Sequence, residues 1–455
     1  MVPSRKDLIT AFENAGYELW LVGGAVRDNL RGVSADRRDY DYATSALPDS
    51  IIKICESFRA RTVTVGKRFG TIGIETDEGW CEVTTFRGES YCPGDRHPDV
   101  SFGHTIHEDL ARRDFTINAI AENTITGERL DPFGGLADIS KKIIRTVGEP
   151  KERYQEDPLR ILRGVRFVSE LGFALDPTAQ AGMISTVETL RSLSQERITA
   201  ELERLLVGSY PEQGLNLLSA IGALPVILPE LAGMPDCEQN RFHQFDVWGH
   251  TVATVASIDC QQNRRLRRWV ALMHDLGKPS VRHVKKNGEW GFYRHEIVGA
   301  ELTEELTQRL RLSKQDINTI SLLVRRHMDR PTLNDARLVR RFMNRLDGHW
   351  RDMVALKRAD NASHTYDDDE YHDGLEIACQ RIEEEDSAAL RAESPLDGHE
   401  LMEICGRKPG FWIGRVKDRL SEMVLDGEIE PGDKGSATRI ALQMFGRDQD
   451  SEGQS

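Results

Sequence analysis

Residues 17–44 read YELWLVGGAVRDNLRGVSADRRDYDYAT, and their order sets the architecture. Leu19 to Val22 is an apolar run suited to a buried strand. Gly23-Gly24 can adopt backbone angles closed to other residues and lets a ligand approach closely. Ala25-Val26-Arg27-Asp28 opens a helix. Free N–H groups at a helix start attract phosphate, and Arg27 adds a fork of donors. A second short strand carries Asp39-Tyr40-Asp41. Side chains at i and i+2 of a strand share a face, so two carboxylates stand together and repel unless a cation lies between them. Mg2+, a hard oxygen-seeking ion, meets that demand. The stretch therefore predicts a triphosphate cradle, with Gly24 and Arg27 as binders, beside a metal-holding pair, Asp39 and Asp41. Metal ions of this kind clamp the attacking and leaving oxygens in nucleotidyl transfer. A GG turn or a D-x-D loop alone is common; their spacing on one strand-turn-helix-strand frame carries the reading.

At 455 residues the chain has room for two to four compact units, and 39% apolar and 29% charged residues predict solvated globular domains. No apolar run is long enough to span a bilayer, and the N-terminus reads as a short amphipathic helix without a signal-peptide core. Seven cysteines with no C-x-x-C pair point to free thiols in a reducing cytoplasm. The net charge of −14 argues against a general nucleic-acid binder. The basic clusters Arg264–Arg268 and Arg337–Arg345 are candidates for local phosphate contact, or for ordinary solvated helix faces.

Downstream, RTVTVGKRFGTIGIET and WCEVTTFR alternate as strands do. Glu82 on the second is either a third carboxylate near the metal or a plain exposed strand residue. Gly88 to Gly103 reads as a mobile loop able to gate the site. In HEDLARRDFTINAIA the run from Phe115 to Ala121 looks helical, with Arg112 and Arg113 at its start placed to reach phosphates and Asp114 a ribose hydroxyl. In EDPLRILRGVRF (Glu156 to Phe167) Asp157, Arg160, Arg163 and Arg166 recur every three residues, so the first three share one broad helix face. A salt-bridged surface helix would show the same pattern. A carboxylate, however, accepts from the exocyclic amine of cytosine or adenine, and guanidinium donates to ring acceptors. Such a pair admits C and A and rejects U.

LVGGAVRD, DYDYATSALP, RRDFTINA and EDPLRILRGVRF together resemble the class II tRNA nucleotidyltransferase and bacterial poly(A) polymerase family, in the DNA polymerase beta superfamily. Gly70-Thr71 after Phe69 is similar to the tRNA-specific branch. The resemblance implies an α+β fold: a polymerase beta-like head with a mixed sheet over 1–148, followed by an all-α neck and body over 149–235. It implies Mg2+ on Asp39 and Asp41; nucleotide on Gly24, Arg27, Arg113, Asp157, Arg160, Arg163 and Arg166; and template-independent addition of CMP and AMP to tRNA from CTP and ATP. Partial addition of CC or A alone, and poly(A) synthesis, are the alternatives within the family.

From Phe242 onward a second chemistry appears. His250, His274-Asp275, His295, His327 and Asp360 are spread over helix-like segments, a donor set for divalent metals. Six such groups could hold two ions, activate water and bind a phosphate. HQFDVWGHT, MHDLGKP, RHEIVGAEL, RRHM and KRADNASH resemble the HD phosphohydrolases, with His295 and His327 as the extra pair of a two-metal variant. This implies an HD domain over 236–370, a helical arm over 371–447 and a disordered tail over 448–455, with the region just after Asp360 acidic and loop-like. A rival of another class is an HD phosphohydrolase whose N-terminal half senses nucleotide.

Overall fold

The computed structural model describes residues 2–33, 40–90, 99–102, 105–239, 244–258, 261–362, 368–385, 394–425 and 427–449. The chain divides into two compact units: residues 1–232 with 309–311, and 233–308 with 312–455.

In the first unit, α1 (Arg5–Asn14) starts where Ser4 caps it, the Ser4 hydroxyl accepting from Asp7 N at 3.2 Å. Next come β1 (Leu19–Val22), α2 (Gly24–Leu30), β2 (Tyr40–Thr44), α3 (Pro48–Ser57), β3 (Thr62–Val63), β4 (Thr71–Thr76) and β5 (Gly79–Thr85). Then follow β6 (Arg87–Ser90), β7 (Asp99–Phe102), α4 (Ile106–Ala111), β8 (Ala121–Asn123), β9 (Arg129–Leu130), α5 (Gly135–Lys141) and β10 (Ile143–Ile144). A seven-stranded mixed sheet orders them β3-β4-β5-β2-β1-β8-β9, with β2 and β5 parallel and the other neighbours antiparallel.

Strand β1 is buried on both sides, which is why it reads as an unbroken apolar run. Leu19 and Leu21 join Tyr40, Tyr42, Ile72 and Val83 under α1 and α3. Trp20 and Val22 join Ala43, Phe86, Ile106 and Leu110 on the opposite face. Strand alternation therefore places Asp41 on the second face, with Ala43.

The part of this unit expected to be all-α holds one short strand, β11 (Ala174–Leu175), parallel to β10, among α6 (Pro150–Glu156), α7 (Leu159–Leu171), α8 (Pro177–Thr186), α9 (Gln195–Val207), α10 (Pro211–Ala220) and α11 (Leu224–Ile227). Phe167 on α7 meets Phe115 edge-on at 5.7 Å. A Cβ on Gly164 would lie 3.0 Å from Phe115 and 2.4 Å from Met183, so only glycine lets α7 come this close.

The second unit is helical apart from the short hairpin β12 (His283–Val284) and β13 (Trp290–Gly291). Its helices are α12 (Val247–Ser257), α13 (Arg264–Met273), α14 (Lys278–Val281), α15 (His295–Arg309), α16 (Lys314–Arg326), α17 (Ala336–Arg345), α18 (Trp350–Asn361) and α19 (Asp369–Glu385). The last three are α20 (Gly398–Cys405), α21 (Phe411–Leu425) and α22 (Lys434–Gln449), around Leu401, Val416 and Leu420. Among the described residues no helix is long and apolar enough to cross a membrane.

Several expectations are corrected. Phe115 to Ala121 is one 3-10 turn (Thr116–Asn118) leading into β8, because Phe115, Ile117 and Ile120 are buried on several sides at once. The segment from Gly88 is part of a hairpin, with β6 and β7 antiparallel; residues 91–98 and 103–104 of the expected loop lie outside the described residues. The stretch following Asp360 includes the 17-residue helix α19. α22 runs past Asp448 to Gln449, and the rest of the expected tail lies outside the described residues. Arg267 and Arg268 are buried, Arg267 donating to Asp352 at 2.7 Å, so this half of the basic cluster faces inward, while Arg265 is partly exposed and pairs with Asp316.

Candidate active site and metal centre

In the first unit a cavity of about 720 Å³ is lined by the β1–α2 turn, β2, β5, α7 and α9. Its floor is the β2–β5 pair. Asp41 and Glu82 are register partners on parallel neighbours, so their side chains rise from the same face, and both line the cavity. Glu82, which the sequence left between two roles, thus stands beside Asp41. Asp39 lies outside the described residues.

Gly23, not Gly24, is the glycine the turn requires. Its φ is +70°, and an added Cβ would come 3.0 Å from Arg113 Nη1 and 3.8 Å from Asp41 Oδ2. Gly24 opens α2, where a Cβ would stand 3.5 Å from Arg27 Nη2.

The arginines are held in place by carboxylates. Arg27 donates from Nε and Nη2 to Asp28, both at 3.0 Å, and from Nη1 to Asn118 Oδ1 at 2.8 Å. Arg113 donates from Nη2 to Asp109 Oδ2 at 3.1 Å and from Nη1 to Asn118 O at 3.3 Å. Asp109 also accepts from Arg112 Nη2 at 2.7 Å. Burial acts to raise its carboxyl, but Arg113 and Arg112 outweigh burial and hold it below its ordinary value. Asp109 had no assigned role from sequence; its i+3 and i+4 spacing to Arg112 and Arg113 was the available signal.

Asp114 is not open to a ribose. One oxygen accepts from Phe115 N at 2.8 Å and Asn118 Nδ2 at 3.1 Å, the other from Arg163 Nε at 2.7 Å. Burial again acts to raise it, yet Arg163 and Asn118 bring it down to about 2. In return the Asp114 charge raises Arg163.

Asp157 does not sit on one helix with the arginines. It ends α6 in an extended conformation (φ −138°), and α7 begins at Leu159. Pro158 between them cannot continue the α6 hydrogen-bond ladder. Asp157 Oδ1 accepts from Leu159 N at 3.1 Å and faces Arg197 Nη2 at 3.4 Å. Arg197, on α9, was not singled out, because it is 40 residues away in sequence. Arg160 donates to Arg153 O (2.9 Å), Glu156 Oε2 (2.8 Å) and Arg112 O (3.2 Å), leaving two of its five donors. Arg166 is 1% exposed and locked between Glu201 (2.6 Å) and Glu170 (2.8 Å).

In the second unit the histidine rings converge. His250 ends within 3.3 Å of His274, Nε2 to Nε2, and 2.9 Å from Asp360. His295 and His327 bring their Nε2 atoms to 3.2 Å. Asp275 serves both groups: Oδ2 lies 3.2 Å from His274 and 3.4 Å from His250, Oδ1 3.4 Å from His295 and 4.0 Å from His327. His274, His295 and His327 each donate Nδ1–H to the carbonyl three residues earlier, at 2.7, 2.8 and 2.6 Å. That bond fixes the tautomer and leaves Nε2 a lone pair, the state a metal ligand needs. Lone pairs facing each other at such distances repel, so the donor set fits divalent cations, with Asp275 between two trios. Burial disfavours charge on His274, but Asp275 and Asp360 outweigh it and raise His274 to about 10, so without a metal its Nε2 also holds a proton, which a bound cation would displace. His327 is pushed down to about 3 by burial and by His295 and His274. Of the other histidines, His349 accepts a structural role beside Asp352 (2.9 Å).

The chain is similar to several known proteins. The Poly A polymerase head domain family matches residues 19–145. The family described as "Probable RNA and SrmB- binding site of polymerase A" matches residues 172–234, and the HD domain family matches residues 243–359. A CCA-adding enzyme of Geobacillus stearothermophilus is 32% identical over 93% of this chain and 92% of its own length. An A-adding tRNA nucleotidyltransferase of Deinococcus radiodurans is 33% identical over 90% of this chain and 92% of its own. The crystal structure of a Bacillus stearothermophilus CCA-adding enzyme in complex with CTP superposes with a TM-score of 0.68 at 27% identity, covering 97% of both chains. With a polymerase beta-like head, a helical remainder and an HD domain, the chain belongs to the CCA-adding enzyme family of tRNA nucleotidyltransferases.

Proposed function

We propose that this protein adds CMP and AMP, without a template, to the 3′ end of tRNA. The terminal ribose hydroxyl attacks the α-phosphate of CTP or ATP, and pyrophosphate leaves. The observation that carries the reading is one cavity lined by Asp41 and Glu82, register partners on paired strands, together with Arg27 and Arg113.

Asp39 and Asp41, with Glu82 adjoining, are the oxygen donors that would hold Mg2+, which when bound supplies Lewis-acid stabilisation to the reacting phosphate. Arg27 and Arg113 each keep unused N–H donors for the triphosphate, and the β1–α2 turn lets it lie against backbone at Gly23 and Gly24. Asp157 Oδ2 accepts from the exocyclic amine of C or A, and the two remaining Arg160 donors meet ring acceptors. Arg163 reaches the nucleotide while anchored on Asp114. Arg166 acts from behind, tying α7 to α9 through Glu201.

The HD unit would hydrolyse phosphate esters, with His250, His274, Asp275 and Asp360 on one divalent ion and His295, His327 and Asp275 on a second. Cytoplasmic placement is supported by Cys55, Cys81, Cys237, Cys379 and Cys405, all free and buried. Unlabelled tRNA ending before CCA, and tRNA ending in CC, incubated with CTP, ATP and both, test the main reading. The expected product is CCA from the first substrate, and Asp41→Ala lowers incorporation by about a thousandfold or more, several kcal/mol of lost transition-state stabilisation. Extension only of the CC-ending tRNA would establish A-addition alone, the second reading, favoured by the A-adding relative. Phosphatase activity without any incorporation would establish the nucleotide-sensing hydrolase instead.

A further inference from the structure

One cation of the HD centre, Lys357, has no carboxylate at contact distance among the described residues; Asp360, Asp329 and Asp368 act on it from farther away. Lys357 lies on α18 three residues before Asp360, so the two side chains share a helix face. Its Nζ donates to the carbonyl oxygen of His327 at 2.5 Å, the only bond it makes among the described residues. An ammonium has three donors, so two remain.

The surrounding carboxylates are committed elsewhere. Asp329 faces Arg326 at 3.8 Å, Asp368 accepts from Arg330 at 2.9 Å, and Asp360 is turned to His250 at 2.9 Å and His274 at 3.6 Å. Among the described residues no carboxylate is within ion-pair distance of Lys357 Nζ. The other lysine of the centre is its opposite. Lys278 Nζ lies 2.6 Å from Asp275 Oδ2 and 2.6 Å from Gln239 Oε1, so its charge is matched.

Access points the same way. The Asp360 side chain is 26% exposed, whereas His250, His274, Asp275, His295 and His327 are 7% or less. The centre therefore opens along the α18 face, where Lys357 stands. A largely buried ammonium bonded to one carbonyl and paired with no carboxylate at contact distance is incompletely compensated, and divalent ions on the histidines would add further positive charge. The arrangement suits an anion.

We propose that Lys357 is an oxyanion-binding residue of the HD centre, its ammonium holding a non-bridging oxygen of a phosphate ester. This rests on the phosphohydrolase reading of the HD unit. The bond to His327 O gives the ammonium a fixed position and leaves its other hydrogens for the phosphate.

Full-length protein loaded with Mn2+ tests this, with inorganic phosphate as the probe by calorimetry and p-nitrophenyl phosphate as the substrate. Lys357→Gln is the decisive variant, because an amide can still donate to the His327 carbonyl but carries no charge. Its metal content should match the wild type. Its phosphate affinity should fall about tenfold or more, the scale of one charge-assisted hydrogen bond, with KM rising in step. Lys357→Arg should restore most of both. Unchanged phosphate affinity in metal-loaded Lys357→Gln would mean the lysine only clamps α16, and loss of metal would make it a brace for His327; either overturns the proposal and leaves the HD reading standing. Wild-type protein that takes up no metal would overturn both.

Discussion

Asp157 presents one carboxylate oxygen to the cavity because the other is already taken by Leu159 N and Arg197. A carboxylate pinned this way offers a fixed acceptor, which a base-reading group needs. Asp157→Ala should raise UTP incorporation relative to CTP by about tenfold to a hundredfold, the worth of one lost base contact at 1–3 kcal/mol. Single-nucleotide incorporation ratios measure it, and an unchanged ratio would remove Asp157 from base selection. Asp114 yields a pH prediction. Its carboxyl lies at about 2 against 3.8 unfolded, so the native state prefers it ionised. The resulting stability, about 2 kcal/mol, is fully present above pH 3.8 and is lost as pH falls from there through 2. Asp114→Asn should lower stability at neutral pH by at least that amount and flatten the acid limb between pH 4 and 2, as read by thermal melts across pH. Both groups were visible in sequence as acidic residues beside arginines. That Asp114 serves Arg163 while Asp157 meets Arg197 was not, since those arginines lie 49 and 40 residues away in sequence.

Elements here are placed by glycines that admit close approach. A Cβ on Gly277 would meet His295 O at 2.2 Å and Gly299 N at 2.6 Å, so the loop after His274-Asp275 can touch the start of α15 only without a side chain. Gly277→Ala should push α15 away, costing about 1–3 kcal/mol from overpacking. Because α15 carries His295, the second trio should lose metal first, which metal analysis of the purified variant would show as a drop toward one ion per chain. Retention of both ions would mean that the loop, not α15, yields. The His274-Asp275 pair on a helix-like segment was legible from its motif. The separation of α6 from α7 at Asp157 was legible only in part, since Pro158 is tolerated in a first turn as readily as it marks a break.

At the scale of the whole chain, a formal charge of −14 coexists with a site lined by Arg27, Arg87, Arg112, Arg113, Arg160, Arg163 and Arg197. Net charge therefore says little about this protein's nucleic-acid partner; the clustering of charge on one cavity says more. The two units have separate cores, and the histidine centre belongs to the second alone. Divalent metal bound only by the folded state should stabilise that unit, by about 2.7 kcal/mol at a hundred times the dissociation constant of one site. Calorimetry with and without chelator should show a metal-dependent shift in the unfolding of residues 233–308 and 312–455, absent in His274→Ala.

Sequence by itself determined the local chemistry: a buried strand, a glycine turn, paired acidic positions, and a histidine-aspartate series whose motif order already implied two metals. Each of these is written in neighbouring residues, where alternation and helical period act over a few positions. Tertiary structure alone decided which oxygen and which donor remain free. The alignment of Glu82 with Asp41, the capture of Asp114 by Arg163, and the bond from Lys357 to His327 O all depend on strands and helices far apart in the chain. Hydrogen bonds and ion pairs form between whatever the fold brings within about 3 Å, and no short-range pattern records that proximity.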